Sequence, residues 1–268
     1  MEFKLAIYTT LKTAVQKVYT FLHLETHEAT TGRPLAIDNV DAITLAIFKQ
    51  KQNIETKQSL FDMVKPRCTY KTFVETINRA GTFLCLFIAL ILKTNREAAH
   101  LIKFTDSTDI PSCLLKNAKY NRTMRGVAAW SKTGKGWFYG LKLHITSDLE
   151  GRILAIRITS GNSDDRGIFR KMNRLLRGIF VADAGYISSE LEKEFFIENE
   201  RIAIITPRAN MRKLATPIQT FLQSLRMKIE SHFREMKMFQ GLVTSLPRSL
   251  NGMFTHYLAA ITAHLMTA

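Results

Sequence analysis

The chain has 268 residues, 46% of them hydrophobic, and it carries a formal net charge of +15 at neutral pH. This hydrophobic content excludes wholesale disorder, and the excess of positive charge indicates a polyanionic partner such as nucleic acid. The positive charge is uneven: the first hundred residues hold 13 Lys and Arg against 9 Asp and Glu, whereas the remainder holds 25 against 14. The polyanion is therefore expected to meet the C-terminal two-thirds of the chain.

Cysteine content and hydropathy favour a cytoplasmic protein without a membrane partner. The three cysteines are odd in number and form neither a metal-ligand spacing nor a disulfide framework. The longest apolar stretch, residues 83–92, is half of the roughly 20 residues that a membrane span needs, so it predicts a buried helix. The first residues lack the apolar core of a signal peptide.

The first hundred residues predict an all-helical domain. Apolar residues recur at intervals of three and four over residues 1–23, and a polar loop follows at 24–37. A capped helix is predicted to run from about Asp38 to Gln50, and the next begins after Thr56 and ends at Lys65-Pro66. Two further helices are predicted at residues 69–81 and 82–103. This region is the first predicted domain, residues 1–100, with a possible role in recognising DNA ends.

The pattern changes to mixed α/β from residue 104, so residues 101–268 are predicted to form a second domain. Strands are predicted at residues 103–110, 178–182 and 202–206, and a hairpin pairs residues 137–146 with 153–159. Residues 111–135 and 207–217 predict basic loops. Helices are predicted at residues 161–177, 188–199, 217–237 and 246–266.

Two aspartates end short apolar strands in this second domain. Asp106 follows residues 103–105, and Asp183 follows the apolar run 178–182. A carboxylate at such a position needs a compensating partner, and a divalent cation is one candidate. Each aspartate could instead cap a turn, and Asp109 is a rival to Asp106. The pair Asp164-Asp165 is typical of a helix N-cap rather than a metal site.

A third carboxylate, Glu230, lies in a predicted basic helix. Arg226, Arg234 and Lys237 are placed four before, four after and seven after it, so one helix face would present all four. A solvated, salt-bridged face is the common alternative. Lys142 and the aromatic residues Trp130, Trp137, Phe138 and Tyr139 lie in a stretch rich in Lys and Arg, which suits phosphate contact and base stacking. The alternative is that these aromatics form the core of a hairpin.

Four motifs together resemble the DDE transposases of bacterial insertion sequences. They are Asp106-Ser107-Thr108, the run 139–144, the run Ala182-Asp183-Ala184-Gly185-Tyr186, and Arg226-x3-Glu230-x6-Lys237. The last is similar to the Tyr-x2-Arg-x3-Glu-x6-Lys signature of one large group, although Gln223 stands where that signature has Tyr. The resemblance covers about residues 100–265 well and the first hundred residues more weakly.

The resemblance implies an RNase H-like mixed sheet flanked by helices and preceded by the helical domain. It implies that Asp106, Asp183 and Glu230 are the catalytic metal ligands for two Mg²⁺ ions, which Mn²⁺ can replace. The cations Arg226, Lys237, Lys142 and Arg234 would contact DNA. The expected partners are the element's terminal inverted repeats and target DNA, bound by a homodimer in a bacterial cytoplasm near the nucleoid.

Two alternatives share parts of this pattern. A stand-alone metal-dependent nuclease would use the same core without strand transfer, and a non-catalytic remnant would only bind DNA. The presence of both aspartates and the glutamate argues against the remnant, whereas a requirement for specific DNA ends would separate a transposase from a nuclease.

Overall fold

The structure is a computed structural model that describes residues 4–27, 35–183, 186, 193, 201–205 and 216–267. The chain divides into two compact units. Residues 1–90 and 235–267 form a helical unit, and residues 91–234 form a unit built on a β-sheet. This division differs from the predicted domains 1–100 and 101–268, because the C-terminal helix clusters with the N-terminal helices.

The helical unit contains six α-helices within the described residues, one of which continues into the second unit. They are α1 (Leu5–Phe21), α2 (Asn39–Lys51), α3 (Lys57–Val64), α4 (Tyr70–Arg79), α5 (Gly81–Glu97) and the last helix of the chain, α9 (Leu250–Leu265). A 3₁₀ turn, Leu24–His27, follows α1. The predicted helices of the first hundred residues are thus confirmed, although α5 ends at Glu97 rather than near Lys103.

Side-chain caps fix where several of these helices begin. The Asp38 carboxylate accepts a hydrogen bond from the Asp41 amide, and the Thr56 hydroxyl accepts one from Ser59. Such caps satisfy backbone N–H groups that have no partner within the helix. Lys65 ends α3 in the left-handed conformation, with φ of 47°. Both the capped starts and the break at Lys65-Pro66 follow the sequence prediction.

The apolar core of this unit explains why the C-terminal helix belongs to it. Ala259 and Ala263 of α9 pack in the same buried cluster as Ile43 and Ile47 of α2. The run Tyr70–Glu97 is the one stretch among the described residues with the length and hydropathy of a membrane span, and 28% of its most apolar window is buried. Core helices of soluble proteins pass the same test of length and composition.

The second unit is built on a six-stranded mixed sheet. Its strands are β1 (Ile102–Pro111), β2 (Ala129–Thr133), β3 (Gly136–Asp148), β4 (Ile153–Ser160), β5 (Gly178–Ala182) and β6 (Arg201–Ile205). Along the sheet the order is β2-β3-β1-β5-β6, and β4 also pairs with β3. Strands β1, β5 and β6 run parallel, whereas β3 runs antiparallel to β1. The predicted mixed sheet and the β3–β4 hairpin are confirmed.

Three further helices accompany the sheet: α6 (Asp165–Met172), α7 (Pro217–Ser224) and α8 (Met227–Met238), the last of which continues into the helical unit. The single helix predicted at residues 217–237 is therefore wrong, because the chain turns between Ser224 and Met227. Strand β2 and a 3₁₀ turn at Leu115–Tyr120 occupy the region predicted as a loop. The helix predicted at 188–199 and the loop predicted at 207–217 lie almost entirely outside the described residues.

Candidate active site

The two candidate aspartates lie next to each other, Asp106 within β1 and Asp183 directly after the end of β5. Thr105 of β1 is paired with Ala182 of the parallel strand β5, and the two aspartates are the residues that follow this pair. Neighbouring strands in a sheet are about 4.8 Å apart, so this register alone brings the two carboxylates close together. The sequence analysis placed both aspartates at strand ends, which is correct for Asp183 and wrong for Asp106, because pairing with β3 continues β1 to Pro111.

The guanidinium of Arg226 lies between the two carboxylates. Its Nη2 donates to Asp106 Oδ2 at 2.9 Å, and its Nη1 lies 3.7 Å from Asp183 Oδ1. The Arg226 side chain is only 13% exposed and that of Asp106 is 21% exposed, whereas Asp183 is 59% exposed. The site therefore combines a largely buried ion pair with a second carboxylate that faces solvent.

Charge compensation at Asp106 is incomplete even with Arg226 beside it. Burial raises the pKa of the Asp106 carboxyl, and the opposing effect of the Arg226 guanidinium does not cancel that rise. The Nε of Arg226 is buried and has no hydrogen-bond partner within the described part of the chain. Burial, together with the nearby Asp106 charge, also raises the pKa of the buried Tyr186 phenol.

Gln223 supports this arrangement and was not recognised as a site residue from the sequence. Its side-chain amide donates to the carbonyl of Ala182, the last residue of β5, at 3.2 Å. Its Oε1 accepts from Arg226 Nη1 at 3.4 Å. Gln223 therefore ties the end of β5 to the arginine that bridges the aspartates.

The turn between α7 and α8 explains how Arg226 reaches the sheet. Arg226 lies in this turn rather than inside a continuous helix, and its amide donates to the Gln223 carbonyl. The contacts of Arg226 with Asp106 and of Gln223 with Ala182 anchor the turn on the sheet. Arg226 is consequently paired with carboxylates, whereas the sequence analysis expected it to face DNA phosphates.

Glu230 is the candidate that the structure does not gather with the aspartates. Its amide donates to the Arg226 carbonyl, so it lies one helical turn beyond Arg226, and its side chain is exposed. Among the described residues, no group of three or more His, Cys, Asp or Glu side chains is arranged to hold a metal ion. The expected three-carboxylate cluster is thus present only as the Asp106–Asp183 pair.

Asp106 and Asp109, the alternative candidate on β1, lie on opposite faces of the sheet because side chains alternate along a strand. Side chains three residues apart on a strand lie on opposite faces of the sheet. Asp109 is paired in register with Lys142 of β3, and the two share one face. Asp106 lies on the other face, toward Arg226. The geometry therefore favours Asp106 as the site carboxylate.

Lys142, expected to bind DNA, is engaged in a different cluster. Its ammonium lies 3.0 Å from the carboxylate of Asp165, and its side chain is 15% exposed. Burial lowers the pKa of the neighbouring His144 to about 4, and this ring makes a 2.8 Å hydrogen bond with Thr159. Asp164 caps α6, as predicted, by accepting from the Gly167 amide. These residues form a polar cluster on the Asp109 face of the sheet.

The remaining predicted DNA contacts lie along α8. Arg234 is exposed, and Lys237 is half-buried and belongs to the helical unit. Of the aromatic side chains considered for base stacking, Trp137 is 58% exposed and Trp130 is 47% exposed on the β2–β3 hairpin, whereas Phe138 is buried. Lys132 is paired directly with Trp137. This hairpin face combines a cation with stacking surfaces.

The carboxylates of Asp106 and Asp183 are donors that fit a divalent cation. Carboxylate oxygens are the preferred ligands of Mg²⁺ and Mn²⁺, and Arg226 compensates the negative charge of the largely buried Asp106 incompletely. In the described part of the chain, Glu230 is not grouped with them. The structure therefore supplies two of the three expected carboxylate ligands.

Comparison with known proteins decides the family. A family model described as the transposase DDE domain matches residues 96–249, more than half of the chain and all three candidate carboxylates. The chain belongs to the DDE transposase family. It is a DNA transposase, and enzymes of this type depend on divalent metal ions. No curated protein matches the chain.

A solved transposase structure shares the fold. The chain is similar to the piggyBac transposase in a synaptic complex with hairpin DNA, with a TM-score of 0.52 and 8% identity over 92% of this chain and 70% of that one. It also aligns with the Mos1 mariner paired-end complex with Mn, with a TM-score of 0.26 and 11% identity over 88% of this chain and 79% of that one. The piggyBac match shows a common fold.

Proposed function

We propose that this DDE transposase cleaves DNA at the ends of its element and joins the freed strand to target DNA through a site made by Asp106, Asp183 and Glu230. The observation that carries the proposal is the pairing of β1 with β5, which brings the two aspartates side by side where β5 ends. Mg²⁺ is the proposed ion, and Mn²⁺ is expected to replace it because both accept oxygen ligands.

Asp106 would hold the metal from within β1, Asp183 would hold it from the end of β5, and Glu230 would complete the ligand set from α8. Two bound divalent cations would activate the attacking hydroxyl of water or of a DNA 3′ end and stabilise the leaving oxygen. The carboxylates orient the site, and no side chain needs to form a covalent bond to DNA. The phosphodiester substrate is drawn to a chain with a net charge of +15.

Arg226 has a distinct proposed role in the metal-free protein. Its guanidinium compensates two neighbouring carboxylates that would otherwise repel each other. A divalent cation at the same carboxylates would compete with this pairing. Arg226 would then be released to contact a DNA phosphate, which agrees with the role that the sequence pattern suggested for it.

The proposed partner is DNA that carries the inverted repeats of the element, bound by a protein dimer. The helical unit is proposed to help recognise these ends, and exposed cations such as Arg234 and Lys132 are proposed to contact the backbone. A bacterial insertion sequence is the proposed source of the element.

Cleavage of DNA that carries the flanking repeats tests the proposal. The wild-type protein should nick this DNA with Mg²⁺ or Mn²⁺ but show little turnover with Ca²⁺. Asp183→Asn should abolish cleavage yet leave DNA affinity within about twofold, because the amide keeps the shape and loses the charge that holds the metal. Equal losses of cleavage and of affinity would indicate a folding role for Asp183 and contradict the proposal.

A further inference from the structure

The helical unit contains a cavity of about 650 Å³ that is lined by basic side chains. Four of its lining residues carry a positive charge at neutral pH, namely Lys49, Lys57, Lys71 and Arg248. Two lining residues are acidic, Glu55 and Glu75, and both are exposed. The cavity therefore has an excess of positive charge. It lies in the helical unit, whereas the proposed catalytic carboxylates belong to the other unit.

Lys49 is an unusual residue because its side chain is almost entirely buried and has no hydrogen-bond or ion-pair partner among the described residues. Its side chain belongs to α2 and is 5% exposed. Its ammonium makes no hydrogen bond or ion pair with any residue in the described part of the chain, although the charge of Glu55 acts on it from a distance. Leaving a charge buried and unpaired costs free energy, so such a lysine indicates a ligand that supplies the opposite charge.

Lys57 adds a second poorly compensated charge to the same cavity. Its ammonium donates to the side-chain carbonyl of Asn78, a neutral acceptor. Burial lowers the pKa of both Lys49 and Lys57 to about 8, and the positive charge of Lys57 contributes to the effect on Lys49. His256, which also lines the cavity, adds no positive charge, because burial and the charge of Lys49 lower its pKa to about 3.

The first turns of three helices also line this cavity. Thr56 and Lys57 begin α3, Tyr70 and Lys71 begin α4, and Ser249 and Gly252 begin α9. Each helix N-terminus presents backbone N–H groups and the positive end of the helix dipole. Three such ends beside the buried Lys49 and the partly buried Lys57 form a site that favours a multiply charged anion.

The remaining lining residues suggest what carries the anion. Tyr70, Val74, Leu246 and Pro247 give one part of the wall an apolar character. The volume exceeds that of an inorganic anion and falls within the range of small-molecule sites. A planar base could stack on Tyr70 while its phosphate reaches the lysines.

We propose that this cavity binds the phosphate group of a nucleotide, with Lys49 and Lys57 as its main charged contacts. The nucleotide is either free in solution or a unit of a bound DNA strand, since both present the same phosphate and base. The inference does not rest on the proposed catalytic site, because its test uses neither metal nor DNA cleavage.

Lys49→Met tests the site, with Lys51→Met on the same helix as the matched control. Lys49→Met keeps the aliphatic stem and removes the buried charge, so the free protein should be as stable as the wild type or more stable. Deoxyadenosine monophosphate, at about ten times its Kd and constant ionic strength, should raise the wild-type Tm by roughly 3 °C. This shift should disappear in Lys49→Met and persist in Lys51→Met.

A second measurement needs only the wild-type protein. Nucleotide binding near pH 8.5 should be accompanied by proton uptake, because a bound phosphate restores the charged form of Lys49 and Lys57. Calorimetry in two buffers of different ionisation enthalpy measures this uptake, whereas deoxyadenosine, which lacks the phosphate, should give none. Equal nucleotide-induced Tm shifts in the wild type and Lys49→Met, or binding without proton uptake, would overturn the proposal.

The salt dependence of DNA affinity in the same variants distinguishes the two possible sources of the phosphate, a DNA strand and a free nucleotide. If the site holds a unit of DNA, Lys49→Met should lower the magnitude of the salt slope of DNA affinity by roughly 1, and Lys51→Met should leave it unchanged. If the site holds a free nucleotide, both variants should keep the wild-type slope while Lys49→Met still loses the nucleotide-induced Tm shift. Each of these two results supports the phosphate site and assigns its occupant.

Discussion

Arg226 and Asp106, 120 positions apart in the sequence, form a largely buried ion pair with a 2.9 Å hydrogen bond. The same guanidinium lies 3.7 Å from Asp183. A cation of the protein itself therefore stands where the carboxylates of a DDE transposase would hold metal. A divalent cation held by Asp106 and Asp183 would compete with Arg226 for the same carboxylates.

Arg226→Met should make the stability of the protein depend on metal. Removing the guanidinium leaves two adjacent carboxylates without compensation, so the unfolding free energy should fall by about 2 kcal/mol in the absence of divalent ions. Mn²⁺ should restore most of this loss and raise the Tm of the variant more than that of the wild type. Thermal unfolding with and without Mn²⁺ measures both effects. Arg234→Met, an exposed arginine on α8, is the control. An equal Mn²⁺ response in all three proteins would contradict competition between Arg226 and metal.

Gln223→Leu should weaken the attachment of the α7–α8 turn to the sheet. The variant loses the hydrogen bonds to the Ala182 carbonyl and to Arg226, so the unfolding free energy should fall by about 1–2 kcal/mol. Thr220→Val, on the exposed side of the same helix, should change stability by less than half as much. Denaturant unfolding compares the two variants. Similar losses in both would mean that the Gln223 contacts do not support the site.

His256 should make the stability of the helical unit fall at acidic pH. Its ring accepts from Gln50 through Nδ1 and donates to the Gly241 carbonyl through Nε2, so it is held neutral. Burial lowers its pKa to about 3 in the folded state, against about 6.5 when unfolded. The stabilising contribution is therefore complete above pH 6.5 and is lost as the pH falls toward 3, by at most about 1.4 kcal/mol per unit. Lys49 and Lys57 act in the same direction because their charges disfavour protonation of the ring.

The measurement for His256 is the pH dependence of unfolding between pH 7 and 4. His256→Gln should flatten this dependence relative to the wild type, whereas His23→Gln, at an exposed position, should not. A wild-type slope that survives in His256→Gln would show that other groups cause the acid lability.

Trp137→Ala should weaken DNA binding at the β2–β3 hairpin. The indole is 58% exposed beside Lys132, and stacking of one base on an aromatic side chain contributes roughly 1–3 kcal/mol. The Kd for single-stranded DNA should therefore rise about tenfold or more, measured by fluorescence anisotropy. Leu175→Ala, which removes a side chain that is 81% exposed, should leave the Kd unchanged. Comparable effects of the two variants would exclude a stacking role for Trp137.

Local sequence signals predicted the parts of this fold that depend on nearby residues. Caps at Asp38 and Thr56, the strand 178–182 and the β3–β4 hairpin all follow from short-range patterns, and the structure confirms them. Family motifs pointed to Asp106 and Asp183. What local patterns could not give is the register that places these two residues side by side, because it depends on β1 and β5 pairing across about 75 intervening residues.

Long-range contacts also explain the failures. The helix predicted at 217–237 is interrupted where Gln223 donates a hydrogen bond to Ala182 of β5 and Arg226 donates one to Asp106 of β1. The helical periodicity of the sequence does not predict these long-range contacts. The sequence analysis expected Lys142 to contact DNA, yet the carboxylate of Asp165, the first residue of α6, lies 3.0 Å from its ammonium. The cavity around Lys49 joins residues near 50, 70 and 250, so no single segment reveals it.

Metal-dependent cleavage by two matched variants of β1 tests the central claim most directly. Asp106→Asn and Asp109→Asn make the same substitution on one strand but on opposite faces of the sheet. With Mg²⁺ and DNA carrying the element ends, Asp106→Asn should lose cleavage by at least about a thousandfold while keeping its DNA affinity, because the amide lacks the charge that would hold the metal. Asp109→Asn should cleave within about threefold of the wild type. Full activity in Asp106→Asn, or the loss of activity in Asp109→Asn alone, would contradict a catalytic site built from Asp106 and Asp183.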